Sequence, residues 1–430
     1  MKYTAANQRL YIENRKNFSS KLKPGSMAIF HSADEFPRSG DQNFKFKQNA
    51  DTFYLSGIDQ EETVLLLFPD CPYKQYREVL FLKKTNEFIK IWEGHKYTKE
   101  EGEAASGIKT VLWMDELDNI LNMLMLKAEN VYLSSNDNDR YVHTIQYRDL
   151  RKGLELKQRY PAHTYHRSAP ILAQLRMIKS EEEIKQLQTA CDITDKAFRR
   201  VLQFVKPGVW EHEIEAEIIY EFIRNGATGH AYEPIIASGV NAICLHYNDN
   251  NSECKDGEVI LFDFGAEYGN YNADLSRSIP VNGRFTPRQK EVYKAVRKVQ
   301  VEAMKLLVPG NDWETYHKQV GELMTKELLD IKLLSKADVD KQDPKWPAYK
   351  KYFMHGTSHH IGLDVHDIAN RHQKFEAGMV FTCEPGIYIA EENLGIRLEN
   401  DMVITKNGPV RDLMAKIPIE LEEIEDLMNA

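Results

Sequence analysis

Long apolar runs are missing from this chain of 430 residues. A membrane-spanning helix needs about 20 consecutive apolar residues, and a stretch such as Val64–Phe68 is only long enough for a strand. The opening Met1-Lys2-Tyr3-Thr4 lacks the apolar core of a signal peptide. Cysteine is scarce: five residues, an odd number without close pairs, which argues for reduced thiols and a cytoplasmic home rather than a disulfide framework. A basic excess is absent too. The net charge of −9 speaks against nucleic acid or an anionic membrane as the main partner. What remains is an ordinary globular balance, with 42% hydrophobic and 28% charged residues. The length exceeds what one core usually serves, so two domains are expected.

Residues 1–168 alternate strand-like runs (Ser26–His31, Thr63–Phe68, Glu78–Leu82) with helical stretches such as Met114–Leu126, the pattern of an α/β domain. Around Ser168–Lys179 the character changes, and Pro170 marks a linker. Residues 169–430 form the second domain, which holds every candidate ligand.

That second domain carries a faint internal duplication. Ser180 with Glu183 makes a capping box that opens a helix bearing Ile184, Leu187, Ala190, Phe198, Val201, Leu202 and Val205 on its apolar face. It stops at Pro207-Gly208, and Trp210-Glu211 opens another helix. Thr286-Pro287 with Gln289 then caps a helix with Val292, Val296, Val299, Ala303 and Leu307, which stops at Pro309-Gly310 before Trp313-Glu314. Each pair leads into strands bearing ligand-type residues, so a pseudo-twofold α+β fold follows.

In the first half, Val259–Phe262 reads as a buried strand, and Gly269 and Asn270 are turn-formers before the alternating Leu275–Ile279. A loop centred on Tyr268–Gly269 makes Asp263 and Asp274 direct cross-strand partners, with Cβ atoms about 5 Å apart. Two such carboxylates repel, so a cation is expected to offset them. A second pair repeats the theme in the other half: Glu384 ends the run Met379–Cys383, Glu399 lies in Ile396–Glu399, and the polar tip Glu391–Glu392 falls midway. Between the pairs sits His355-Gly356-Thr357-Ser358-His359-His360. This is the inventory of a carboxylate-rich dinuclear metal site, set between the two halves.

The bland readings differ residue by residue. Asp263-Phe264-Gly265 alone is usually a strand end, and no kinase-type His-Arg-Asp loop accompanies it. His355 and His359, four apart, could be a helical metal pair, but Gly356 and Gly362 disfavour a helix there. Cys383 reads as a small buried hydrophobe, and Trp92 reads as ordinary core.

Taken together, the motifs resemble those of the "pita-bread" metallopeptidases, the family of aminopeptidase P, prolidase, methionine aminopeptidase and creatinase. The string Met354–Asp367 resembles the histidine motif of aminopeptidase P and prolidase. Phe262-Asp263-Phe264-Gly265, Asp274 with Ser276-Arg277-Ser278, Glu384-Pro385-Gly386 and Ile396-Arg397-Leu398-Glu399 follow in the family's order. Asp51–Gly57, Ile91-Trp92-Glu93-Gly94 and Arg176–Ser180 extend the likeness to the N-terminal domain of aminopeptidase P. One such motif is weak; five in order are specific. The chain departs from the pattern at Thr357 and His360, where many relatives carry Leu and an aromatic or aliphatic residue.

The resemblance implies an Xaa-Pro aminopeptidase with two divalent metal ions. Mn²⁺ suits hard oxygen ligands plus one imidazole, and Co²⁺, Fe²⁺ or Zn²⁺ are also admitted. Carried over, Asp263 holds one metal, His359 and Glu384 hold the other, and Asp274 and Glu399 bridge them. Two ions so held share a water, lower its pKa and polarise the scissile carbonyl, and Glu384 takes the proton. His246 and His366 contact the substrate and assist proton movement, while His355 lines the site that receives proline, with Tyr388 as a further candidate for that wall. Arg397 orients carboxylates from behind. The first domain is expected to mediate homo-oligomer contacts and limit access to the cleft, with Trp92 reaching a neighbour's active site. Prolidase, which cleaves only dipeptides, is the runner-up. A non-catalytic binding scaffold is disfavoured because no ligand is lost. An extra N-terminal domain of this size disfavours methionine aminopeptidase.

Overall fold

The computed structural model describes residues 3–135, 137–138 and 144–430. Two compact units emerge: Ala5–Arg176, and Met177–Ala430 together with the extreme N-terminus. The boundary lies eight residues beyond the expected 168/169 division. Pro170 lies in the helix that leads up to this boundary. It sits in the first turn of the helix Ala169–Met177, where its missing N–H has no helical partner to lose. The buried pair Arg176–Asp51, 2.6 Å apart, ties the end of that helix to the first unit.

The first unit is built on a six-stranded mixed sheet in the order Thr110–Trp113, Glu78–Leu82, Val64–Leu67, Ser26–His31, Asn130–Leu133 and Thr164–Arg167. Ser26–His31 pairs antiparallel with Val64–Leu67 and parallel with Asn130–Leu133. Both central strands are buried along their whole length, as strands covered on both faces must be. Met27, Ile29, Leu66, Val79, Phe81 and Leu124 are among the residues that fill one core.

In the second unit, both capping boxes form. Ser180 and Glu183 exchange bonds of 2.8 and 3.3 Å at the start of Glu181–Phe204. Thr286 and Gln289 do the same at Pro287–Leu306. A Ser or Thr cap is worth about 1 kcal/mol. Each long helix packs on the shorter one that follows, Glu211–Arg224 and Trp313–Asp330 respectively. Their apolar faces cover two antiparallel ladders. One joins Ile235–Ser238, Val259–Phe264 and Leu275–Pro280; the other joins Val380–Cys383, Asn400–Val403 and Arg411–Asp412. The second ladder continues into the hairpin Gly386–Ile389/Leu394–Arg397. The helix pair followed by a hairpin thus occurs twice, as the α+β reading expects. The halves meet along a seam, where Glu399 N–H donates to the Ser276 carbonyl (3.1 Å) and Arg397 N–H to Ser278 Oγ (3.2 Å).

Candidate metal centre

The hairpin that carries the aspartates turns at Gly269–Asn270, both with positive φ (+58° and +65°). This is the two-residue geometry that matches strand twist. Tyr268 and Tyr271 pair directly beneath it. The centre is therefore one residue later than Tyr268–Gly269, and every partner shifts by two. Asp263 faces Ser276, not Asp274, which corrects the sequence expectation. The same register places Asp274 opposite Gly265. A Cβ at Gly265 would lie 1.7 Å from the Ala273 carbonyl, so no other residue fits there. A shift of two keeps the face, and the aspartates become diagonal neighbours on it. Tyr232, a residue the sequence did not single out, bonds through its hydroxyl to both carboxylates.

The glutamates fall in one register. Cys383 pairs with Asn400 on one side and Gly386 with Arg397 on the other, which sets Glu384 opposite Glu399. Ser276 Oγ donates to Glu399 at 2.6 Å, joining the two hairpins at the carboxylates. Thr382 Oγ1 lies 3.3 Å from Glu384.

His359 completes the cluster. Its Nδ1 lies 3.0 Å from the His360 carbonyl, which can only accept, so one ring proton resides there and, in the neutral ring, Nε2 presents a lone pair. That lone pair faces Asp274 Oδ2 at 3.4 Å and Glu384 Oε1 at 3.6 Å. Ligand atoms of Asp274, His359 and Glu399 lie within 4.8 Å of one another. An unprotonated imidazole nitrogen aimed at anionic oxygens is repulsive unless a cation or protons stand between. The donor set therefore fits a divalent metal, with Asp263 and Glu384 at the margins of this triad.

Electrostatics carry the same signature. Burial, reinforced by Asp263, holds the Asp274 carboxyl well above its usual range. Burial with Asp274 and Glu384 does so for Glu399. Glu384 is pushed up to about 7, chiefly by burial, against the opposing pull of His359. Burial also raises the Tyr232 phenol, helped by the Asp263 and Asp274 charges. One hydroxyl proton cannot serve two carboxylates at once, so without a metal a second proton must be shared there.

Arg397 is buried and donates three ways: to Asp263 Oδ2 (2.6 Å), Tyr388 Oη (2.9 Å) and Ser276 Oγ (2.8 Å). Tyr388 in turn lies 2.8 Å from His355 Nε2, whose Nδ1 reaches the Gly356 carbonyl at 2.8 Å. The Arg397–Tyr388–His355 relay therefore points hydroxyl hydrogen to imidazole. Burial, and then Arg397, lower His355 to about 3, so its ring stays neutral. His366 is exposed and meets the His359 ring edge-on at 4.4 Å. His246 is exposed on the stretch after Ile235–Ser238 and adds to the electrostatic field at His355. His360, one of the two departures, is buried against Phe381 and Trp313, with centroids at 4.3 and 5.6 Å. Its ring belongs to an aromatic cluster rather than to the ligands. Trp92 is in the other unit and is not core: it is 76% exposed beside Phe88 and Ile91.

Residues 185–406 match the model of metallopeptidase family M24, and residues 11–132 match the aminopeptidase P N-terminal domain. The Xaa-Pro aminopeptidase of Escherichia coli is 35% identical, covering 98% of this chain and 97% of that one. The structure of aminopeptidase P from E. coli with the inhibitor Pro-Leu superposes with a TM-score of 0.87 at 31% identity, covering 99% of each chain. Aminopeptidase PepP of Pseudomonas aeruginosa gives 0.88 at 30% identity, with 98% of each chain covered. An N-terminal α/β unit followed by a pita-bread domain is thus the shared architecture. The chain belongs to metallopeptidase family M24, in the branch that carries the aminopeptidase P type of N-terminal domain.

Proposed function

We propose that this protein is an Xaa-Pro aminopeptidase, releasing the first residue of peptides whose second residue is proline. The observation that carries the reading is the lone pair of His359 Nε2 converging with Asp274 and Glu399 beside Glu384. Asp263, Asp274, His359, Glu384 and Glu399 would hold two divalent cations, Mn²⁺ being the best match to this oxygen-rich set, which when bound acidify water and polarise the scissile carbonyl.

The chain's own groups do the rest. Glu384 accepts a proton from the attacking water, a role suited to a carboxylate oxygen set beside His359 at the cluster. His366, beside His359, and His246 contact the substrate and move protons at the cleft. Proline lacks an amide N–H and has a fixed φ, so a wall shaped to the ring selects it without a hydrogen-bond code. His355 and Tyr388 form that wall, locked by the relay from Arg397. The exposed Phe88-Ile91-Trp92 face supports contact with another subunit in a homo-oligomer, with Trp92 reaching the neighbour's site.

Five unpaired cysteines are in keeping with the cytoplasm. Among the described residues, no helix is long and apolar enough to cross a membrane.

The deciding experiment is release of the first residue from Xaa-Pro dipeptides and Xaa-Pro-Yaa tripeptides with added Mn²⁺. Cleavage of both supports the reading. Cleavage of dipeptides alone replaces it with prolidase, and cleavage of neither leaves a binding scaffold.

A further inference from the structure

Glu211 is a fully buried carboxylate, 0% exposed, at the first position of the helix Glu211–Arg224. Its Oε1 accepts from Ser238 N–H (2.8 Å), Ser238 Oγ (2.7 Å) and Asn241 Nδ2 (3.0 Å). Its Oε2 accepts from Tyr247 Oη (2.7 Å) and Ser252 N–H (2.9 Å). Five donors saturate the group, and none is a lysine or arginine. Bonds to an ionised acceptor are about twice as strong as neutral ones, and the helix N-terminus favours the negative charge.

The positions of the donors give the feature its meaning. Residues 238, 241, 247 and 252 bracket the irregular connection between Ile235–Ser238 and Val259–Phe264, and that connection carries His246. Beyond the short turn Gly239–Ile243 it is held at its far end by the antiparallel bridge Trp210–Glu253 and by Asn250, which accepts from Ile236 N–H (3.0 Å) and donates to the Pro234 carbonyl (3.0 Å). Between these supports, Glu211 gathers the segment that carries His246 into a hub. A second bond closes the same ring, from Glu211 N–H to the Ser252 carbonyl at 3.0 Å, and Asn241 Nδ2 reaches Ser252 Oγ at 3.0 Å. Leu245 and Tyr247, either side of His246, pack against the apolar cluster of Ile235, Ala242, Leu261 and Tyr388. His246 itself stays exposed.

We propose that Glu211 is a positioning residue that fixes His246 for its contact with the substrate. This rests on the aminopeptidase reading of His246 given above. A buried charge earns its place here because a carboxylate gathers several donors from one loop, which an apolar side chain cannot.

Glu211→Gln tests it, because the amide NH₂ would face donors. In the metal-loaded enzyme, kcat/KM for an Xaa-Pro-Yaa peptide should fall on the order of 10- to 100-fold, with metal content unchanged. In a His246→Ala background the same substitution should cost less than about twofold. Equal losses in both backgrounds, or no loss in either, would overturn the proposal. Should Glu211→Gln fail to fold, Tyr247→Phe removes a single donor and is judged by the same comparison. Amide hydrogen exchange of the metal-loaded variant decides the point without activity. Exchange should quicken across 238–252 while Val259–Phe264 and Leu275–Pro280 stay protected, and unchanged protection of 238–252 would refute the hub. An inactive wild type would sink the functional reading instead, and the exchange experiment would still judge Glu211.

Discussion

Arg397 donates to Asp263 at 2.6 Å, pairing a buried guanidinium with a carboxylate of the cluster. The guanidinium also serves Tyr388 and Ser276, so one buried cation fixes a carboxylate, a buried phenol and the seam between the halves. Arg397→Met should leave all three without that donor. Breaking a buried pair by removing one partner costs about 3–5 kcal/mol. Urea denaturation should show that loss in the metal-free protein and a smaller loss after Mn²⁺ loading. An equal loss in both states would mean that Arg397 and metal do not share Asp263.

Metal removal should give stability an unusual pH dependence. Asp274, Glu384 and Glu399 have folded pKa values above those of the unfolded chain, Glu384 reaching about 7. Groups raised in this way favour the folded state when protonated. Their contribution is present below the unfolded carboxyl range, about 4, and is lost as pH rises through 7 and beyond. Buried neutral histidines such as His355, lowered to about 3, work in the opposite sense up to the unfolded imidazole range of about 6.5. The melting temperature in chelator should therefore fall from about pH 7 to pH 8.5, while the Mn²⁺ form stays nearly flat, because metal replaces the protons. A metal-free protein that gains stability over that range would contradict the repulsive cluster.

Glu384→Gln preserves shape and removes the basic oxygen. It should lower kcat by at least 10²–10⁴-fold, with partial metal loss. His366→Ala should lower kcat while metal stays bound, and His359→Ala should empty the site. Metal analysis of the three variants checks the assignment. If His366→Ala strips the metal and His359→Ala does not, the ligand histidine has been misassigned.

Trp92→Ala should weaken cleavage of longer peptides and leave metal content and folding untouched, since the side chain is 76% exposed. Sedimentation at working concentration checks the underlying assembly. A monomer with full activity on Xaa-Pro-Yaa peptides rules out a shared site.

The sequence made the glutamate register plain and misjudged the aspartate register, for one local reason. Glu391–Glu392 is an unambiguous polar tip, so Glu384 falls opposite Glu399 as the ladders require. At the other tip, Tyr268, Gly269 and Asn270 compete. Gly269 and Asn270 both tolerate positive φ, while Tyr268 prefers a strand, and that preference decides the turn. The capping boxes were legible because their bonds are local. Tyr232 and Glu211 were not, since their partners lie up to 42 and 41 residues away and no nearby pattern announces them.

Hairpin tips ordinarily absorb extra residues, which is why tags and inserted domains are grafted there. The Gly269–Asn270 tip should be an exception. One added residue re-indexes Leu275–Pro280 against Val259–Phe264, and an odd slip carries a side chain through the sheet. Asp274 would then point away from His359 while the strands still paired. A protein altered so lightly could keep its shape and its solubility and lose its metal, so the length of this buried turn is as much a part of the catalyst as the carboxylates it aligns.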